Sequence, residues 1–187
     1  MKKILVGAAV FAAMVGVAPS VQAQSSSTSN VRFGISGGLT VPIGDLGNAY
    51  GSGFNLQGHA SIKPSSFPLN LRGDAGFWTL GGKTISGGGG TGSFKSDSRN
   101  IFTVNGNVVY NFEGAKDATF VPYVIGGLGI YTGNQSFGTK LGVNGGGGVT
   151  FKLAGFDAFV EGRFHNIFAD GGSARIIPVS FGIMFKP

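Results

Sequence analysis

The chain of 187 residues has no cysteine. Neither a disulfide framework nor a thiolate metal site can form. Charge is also scarce, at 12% of residues. Beyond the N-terminal segment there is no run of about 18 apolar residues, so a helical membrane span is not expected. Clustered basic charge is missing too. The formal charge is +6, but Lys2 and Lys3 sit at the extreme N-terminus, which leaves 14 − 2 = 12 basic against 8 acidic residues elsewhere. Those cations are scattered singly, as at Arg32, Lys63, Arg72, Lys83, Lys95, Arg99 and Lys116. Nucleic-acid binding needs a basic face, so no nucleic-acid partner is expected. What the chain does have is glycine (36 residues) and phenylalanine (17). Glycine disfavours long helices, and aromatic residues suit strands.

The N-terminus reads as an address. Met1-Lys2-Lys3 is a positive start, and Ile4 to Val17 is an apolar stretch too short to span a bilayer. Pro19 and Ser20 break it, and Val21-Gln22-Ala23 has the small-x-small form of a cleavage site. Residues 1–23 are therefore expected to be a removable signal peptide, cut between Ala23 and Gln24. Residues 24–30 are expected to be a polar leader, and residues 31–187 a single domain.

Within 31–187 the dominant signal is period-two alternation. It is clearest at the end, where Ile177, Val179, Phe181, Ile183 and Phe185 alternate with Pro178, Ser180, Gly182 and Met184. Val31, Phe33, Ile35, Leu39 and Val41 alternate in the same way with Arg32, Gly34, Ser36, Gly38 and Thr40. Similar segments lie around residues 54–63, 69–78, 102–112, 141–152 and 156–165. Residues 120–131 are apolar on both parities, so their facing stays open. Eight strands of about 9–13 residues result, a length that crosses a bilayer when tilted. Connections at 42–53, 80–98, 132–140 and 167–175 read as long. Those at 64–68, 113–118 and 154–155 read as short. An even strand number with this alternation of loop length fits a barrel with both termini on the periplasmic side.

A soluble barrel would put many Lys, Glu and Asp on its polar face. Here that face is mostly Gly, Ser, Thr and Asn with isolated ions, which suits a narrow interior filled by side chains. The expected fold class is all-β: an eight-stranded antiparallel transmembrane barrel of up-and-down topology, in the bacterial outer membrane.

The signal peptide, the Pro122-Tyr123-Val124 segment with its Gly126-Gly127-Leu128-Gly129 run, and the terminal strand Ile177 to Phe185 together resemble the small outer-membrane β-barrel superfamily. This is the OmpA transmembrane domain, OmpX and OmpW-like group, also labelled porin family. The resemblance covers the whole expected mature chain and is one of pattern. It implies contact with outer-membrane lipid and lipopolysaccharide, periplasmic chaperones, and the barrel-assembly machinery. The machinery's signal would be Phe181, Ile183 and Phe185, with Lys186 and Pro187 following the usual terminal aromatic. No peptidoglycan-binding domain is expected after the barrel.

The candidate chemistry lies on the inward parity: His59, Lys63, Arg72, Asp74, Lys152, Asp157, Glu161, Arg163 and His165. Buried ions must pair, because an isolated one is costly. A polar network of His59, Lys63, Arg72, Asp74, Glu161, Arg163 and His165 is expected to plug the lumen, with the third and seventh strands meeting across it. A gated ion path is the alternative use of the same residues. Some outer-membrane barrels are enzymes, and the lipid A deacylases among them have a His-x-Ser pattern. His165-Asn166-Ile167 lacks it, whereas His59-Ala60-Ser61 has it but faces inward. Catalysis is therefore not expected, nor are a cofactor or a metal. Gly82-Lys83-Thr84 and Gly127-Leu128-Gly129 imitate nucleotide loops without the remaining glycines. The expected function is a non-enzymatic structural or surface-presenting barrel. The alternatives are a narrow channel for small or hydrophobic solutes, and an adhesin that meets a host or surface ligand through residues 80–98.

Overall fold

The computed structural model describes residues 31–65, 67–86, 93–95, 97–112, 114, 118–134, 137–169 and 171–185. The expected leader, the Ala23–Gln24 junction and the pair Lys186–Pro187 lie outside these residues. Eight long strands dominate: β1 (Val31–Ile43), β2 (Gly53–Ile62), β3 (Asn70–Gly82), β4 (Arg99–Asn111), β5 (Phe120–Gly133), β6 (Gly138–Lys152), β7 (Phe156–Ala169) and β8 (Gly172–Phe185). Each pairs antiparallel with the next in sequence, and β1 pairs with β8 to close the ring, from Phe33 opposite Phe185 to Ile43 opposite Arg175. The result is an up-and-down barrel without an open edge, as expected from the alternation.

Closure dictates the two faces. A strand of 13 residues, such as β4, spans about 43 Å, or about 33 Å along the axis at a tilt near 40°. Its outward residues Phe102, Val104, Val108 and Tyr110 are exposed, whereas Thr103, Asn105 and Asn107 are buried in the lumen. The same inversion of the soluble rule holds around the barrel: Phe33, Ile35 and Leu39 of β1 and Phe181 of β8 face out. Outward aromatics pair across strands toward the ends, as at Phe77–Phe102 (5.0 Å between ring centroids) and Phe120–Phe151 (6.1 Å).

The facing of residues 120–131 is fixed by the ring. Val121, Tyr123, Ile125 and Tyr131 point inward, and Phe120, Val124, Leu128 and Ile130 point outward. The pattern was unreadable because the inward set is itself apolar or aromatic.

The ends differ. At the rim that carries Val31 and Phe185, here the terminal rim, the turn after β6 is short, and the amide of Leu153 donates to the carbonyl of Phe156 (3.1 Å). At the opposite loop rim, the connections expected at 132–140 and 167–175 are much shorter than anticipated. Ala169 pairs with Gly172, so only two residues turn the chain, with Gly171 at φ 81°. The 80–98 connection carries a short ribbon, Thr84–Ser86 against Ser93–Lys95. A short helix, α1 (Asp45–Ala49), sits over the loop rim.

Candidate functional site

The middle of the lumen holds a four-membered ring of ion pairs contributed by β3 and β7 from opposite walls. Arg72 Nη2 donates to both oxygens of Glu161 (2.8 and 2.7 Å). Arg163 Nε lies 2.8 Å from Glu161 Oε1, and its Nη1 donates to Asp74 Oδ2 (2.8 Å). Arg72 Nε, 3.0 Å from Asp74 Oδ1, closes the ring. Two guanidinium and two carboxylate groups leave no net charge. Each is at least nine-tenths buried, so the pairing offsets a large desolvation cost. Further donors fill the remaining lone pairs. Tyr123 Oη donates to Glu161 Oε2 and Asn107 Nδ2 to Asp74 Oδ2, both at 2.8 Å. Arg163 Nη2 donates to Gln57 Oε1 (3.2 Å).

Glycine makes room for these long side chains. A Cβ at Gly146 would lie 2.2 Å from the Gly162 carbonyl oxygen and 2.7 Å from Arg163 Cα. One at Gly148 would lie 2.5 Å from Tyr123 Oη. The run Gly145 to Gly148 in β6 is thus partly the floor on which the ring rests.

His59 joins Asp74 to β1. Its Nδ1 is 2.7 Å from Asp74 Oδ1 and its Nε2 is 2.8 Å from Ser36 Oγ. A Ser–His–Asp order is the arrangement of a nucleophile, base and orienting acid. Here Asp74 is also held by two arginines and an asparagine, and Ser36, His59 and Asp74 are 4%, 5% and 2% exposed. Phe159 packs edge-on against His59 (5.5 Å). The imidazole is thus buried and held from both ring nitrogens.

Toward the loop rim, Tyr131 Oη donates to Asn105 Oδ1 (2.8 Å), so His165 Nδ1, 2.7 Å away, is placed as the donor to Tyr131. Above that layer the lumen turns apolar: Trp78, Leu80, Ile101, Tyr131, Phe137, Ile167, Ala174 and Ile176 form one buried cluster, with Leu46 and Tyr50 packed on it. Trp78 stands perpendicular to His165 at 4.7 Å. Toward the terminal rim the lumen opens into a cavity of about 180 Å³. Among the described residues, no group of three or more His, Cys, Asp or Glu side chains is arranged to hold a metal ion.

A closed antiparallel barrel with an apolar outer face and a polar, ion-paired interior is the architecture of an outer-membrane protein. A family model for the outer membrane protein beta-barrel domain matches residues 9–185. The chain belongs to this family. Among solved structures, this outer membrane β-barrel is similar to Neisserial surface protein A, at 16% identity over 87% of this chain and 100% of that one, with a TM-score of 0.68. It is similar to the outer membrane protein OprG from Pseudomonas aeruginosa at 12% identity, 85% and 98% coverage, and a TM-score of 0.60. The outer membrane enzyme PagL follows at 16% identity, 83% and 99% coverage, and a TM-score of 0.50. At these identities the likeness is one of fold. No curated protein sequence matches the chain.

In the outer membrane β-barrel, His59, Arg72, Asp74, Glu161 and Arg163 come together in one bonded unit. His165 lies in the next layer and bonds to Tyr131, not to the ion ring. Lys63 lies just past the end of β2 and lines the terminal-rim cavity, whose wall also includes Arg72 of the ring. Phe181 and Phe185 face outward on β8, with Ile183 on the same parity. Sequence reasoning missed Ser36, Asn107 and Tyr123 as partners of the ring and Trp78 as part of a plug. The polar parity of β1 and β4 pointed to the first two. Nothing in the ambiguous β5 pointed to Tyr123.

Proposed function

We propose that this outer-membrane barrel is a non-conducting, non-enzymatic protein that stabilises the envelope or presents its loop rim. The observation that carries the reading is the double blockage of the lumen, by the Arg72–Glu161–Arg163–Asp74 ring and then by the apolar cluster around Trp78. An eight-stranded barrel has an interior just wide enough for side chains to fill. A permeating ion would have to break two layers in series. A narrow channel therefore has less support than a filled scaffold. The burial of Ser36, His59 and Asp74 supports the non-enzymatic part. Refolded protein in planar bilayers is expected to give little or no conductance; steady, selective currents would overturn the reading.

The same proposal takes the terminal rim as periplasmic and the leader as cut before Gln24. It takes Phe181, Ile183 and Phe185 as the segment offered to the assembly machinery. The aromatic outer face would meet lipid and lipopolysaccharide. A surface-binding role through residues 80–98 is favoured by one observation, the ribbon Thr84–Ser86 with Ser93–Lys95 that shapes this connection. Deleting residues 84–96 is expected to leave heat-modifiable folding intact and to abolish any cell binding. Unchanged binding would remove that connection from the role.

A further inference from the structure

Part of the lumen wall between the ion ring and the apolar plug is polar and yet unmatched. Among the described residues, four buried atoms there have no hydrogen-bond partner: Asn107 Oδ1, Asn144 Nδ2, Asn144 Oδ1 and His165 Nε2. Their residues are 5%, 7% and 0% exposed. Buried polar groups rarely stay unpaired, so the set marks a ligand site.

The register brings these residues into one row. Asn107 of β4 is opposite Gly127 of β5, Gly127 is opposite Asn144 of β6, and Asn144 is opposite His165 of β7. Gly127 keeps the row open: Asn107 Oδ1 leans over it, into the place a Cβ would take, on the side of Asn144. Along β6, Asn144 is bounded in both directions. A Cβ at Gly142 would lie 2.8 Å from Tyr131 Cε2, and one at Gly146 would lie 2.9 Å from Arg163 Cγ, so these side chains cover the wall above and below it. Beyond them stand Trp78 and Ile167 of the plug and Asp74 and Glu161 of the ring, none more than 3% exposed.

The chemistry of the row selects its occupant. His165 Nδ1 donates to Tyr131, which leaves Nε2 of the neutral ring as an acceptor. Asn107 Nδ2 is engaged by Asp74 and by the Arg72 carbonyl, which leaves its Oδ1. The row thus offers three acceptors and the two hydrogens of one amide. A cation would leave that amide without an acceptor, and an anion would leave the acceptors without donors. Water gives two hydrogens and takes two. At about three bonds per buried water, these five positions correspond to about two molecules. We propose that Asn107, Asn144 and His165 hold a small, sealed water cluster between the ion ring and the plug. It bridges β4, β6 and β7 across the glycine of β5. It depends on the closed geometry of the lumen, not on the envelope or surface role proposed above.

The test is a crystal structure of the full barrel at a resolution that shows ordered water, with water-to-side-chain cross-relaxation in solution as the second measurement. Water is expected within about 3.2 Å of Asn144 Nδ2 and of at least two of the three acceptors. The Asn144 side-chain amide is expected to cross-relax with water that tumbles with the protein. Asn144→Leu keeps the volume and removes both amide atoms. It is expected to leave the barrel heat-modifiable and to move the nitrogen-15 shift of His165 Nε2 downfield, as a ring nitrogen that loses a hydrogen bond does. Should that variant fail to fold, the two measurements on the parent protein decide. The proposal fails if the crystal shows no ordered water in the row, if Asn144 bonds directly to protein groups or to an ion, if the cross-relaxation is that of bulk solvent, or if folded Asn144→Leu leaves the His165 shift unchanged.

Discussion

Each corner of the ion ring touches both groups of opposite sign, so removing one corner strands two partners. Asp74→Ala would leave Arg72 and Arg163 sharing one carboxylate, Glu161, and His59 Nδ1 without its partner. Truncating one member of a buried ion set costs about 3–5 kcal/mol. Urea unfolding followed by gel mobility is expected to show a loss of that size, and a loss below about 1 kcal/mol would mean the ring is solvated. Replacing the whole ring by apolar residues of similar volume is expected to cost less than removing one corner, because no charge is then left alone. Glycine gives a second contrast at this scale. Gly146→Ala would press on the backbone at Gly162 and on Arg163, whereas at Gly162 an added Cβ meets nothing within 4 Å. Gly146→Ala is expected to destabilise by about 1–3 kcal/mol and Gly162→Ala by far less. The same unfolding assay separates them, and equal losses would overturn the floor role of β6.

At the scale of elements, the hairpin between β7 and β8 has a sharp requirement. Gly171 holds φ at 81°, in the region L side chains rarely adopt. Gly171→Val is expected to cost about 1–2 kcal/mol in the same denaturation measurement. This turn also departs from the sequence expectation. A stretch of Asp, Gly and Ser resembles a long loop, yet Ala169 pairs with Gly172 and the strands run on through Phe168 and Ala174. The strands themselves were legible because lipid and lumen impose opposite chemistry on alternate residues. β1, β4 and β8 show this plainly. The rule failed on β5, where inward Val121, Ile125 and Tyr131 are as apolar as the outward set. Pattern also placed β3 and β7 across from one another, with their charges on the inward parity. It could not place Tyr123 on Glu161 or Ser36 on His59, because those contacts depend on barrel tilt and stagger, which no single strand encodes.

For the whole molecule, the lumen is a stack: an open cavity, an ion ring, a layer of Tyr131, Asn105 and His165, then the apolar plug under α1. Barriers in series pass current only when all are lowered. Trp78→Ala alone is expected to leave planar-bilayer conductance near the baseline. A variant combining Trp78→Ala with Glu161→Ala and Arg163→Ala is expected to raise it, provided it stays folded by the heat-modifiability test. Large currents from Trp78→Ala alone would show that the ion ring is no barrier.

Trp78 is also the single tryptophan of the chain, with its ring inside the barrel against Tyr131 and His165 and none of its surface exposed. The molecule therefore carries its own optical reporter, buried in the lumen and away from the lipid. Emission is expected to shift to the blue on folding. Brominated acyl chains, which darken an indole lying against the bilayer, are expected to leave it bright. Quenching by those lipids would put the ring on the other side of the wall.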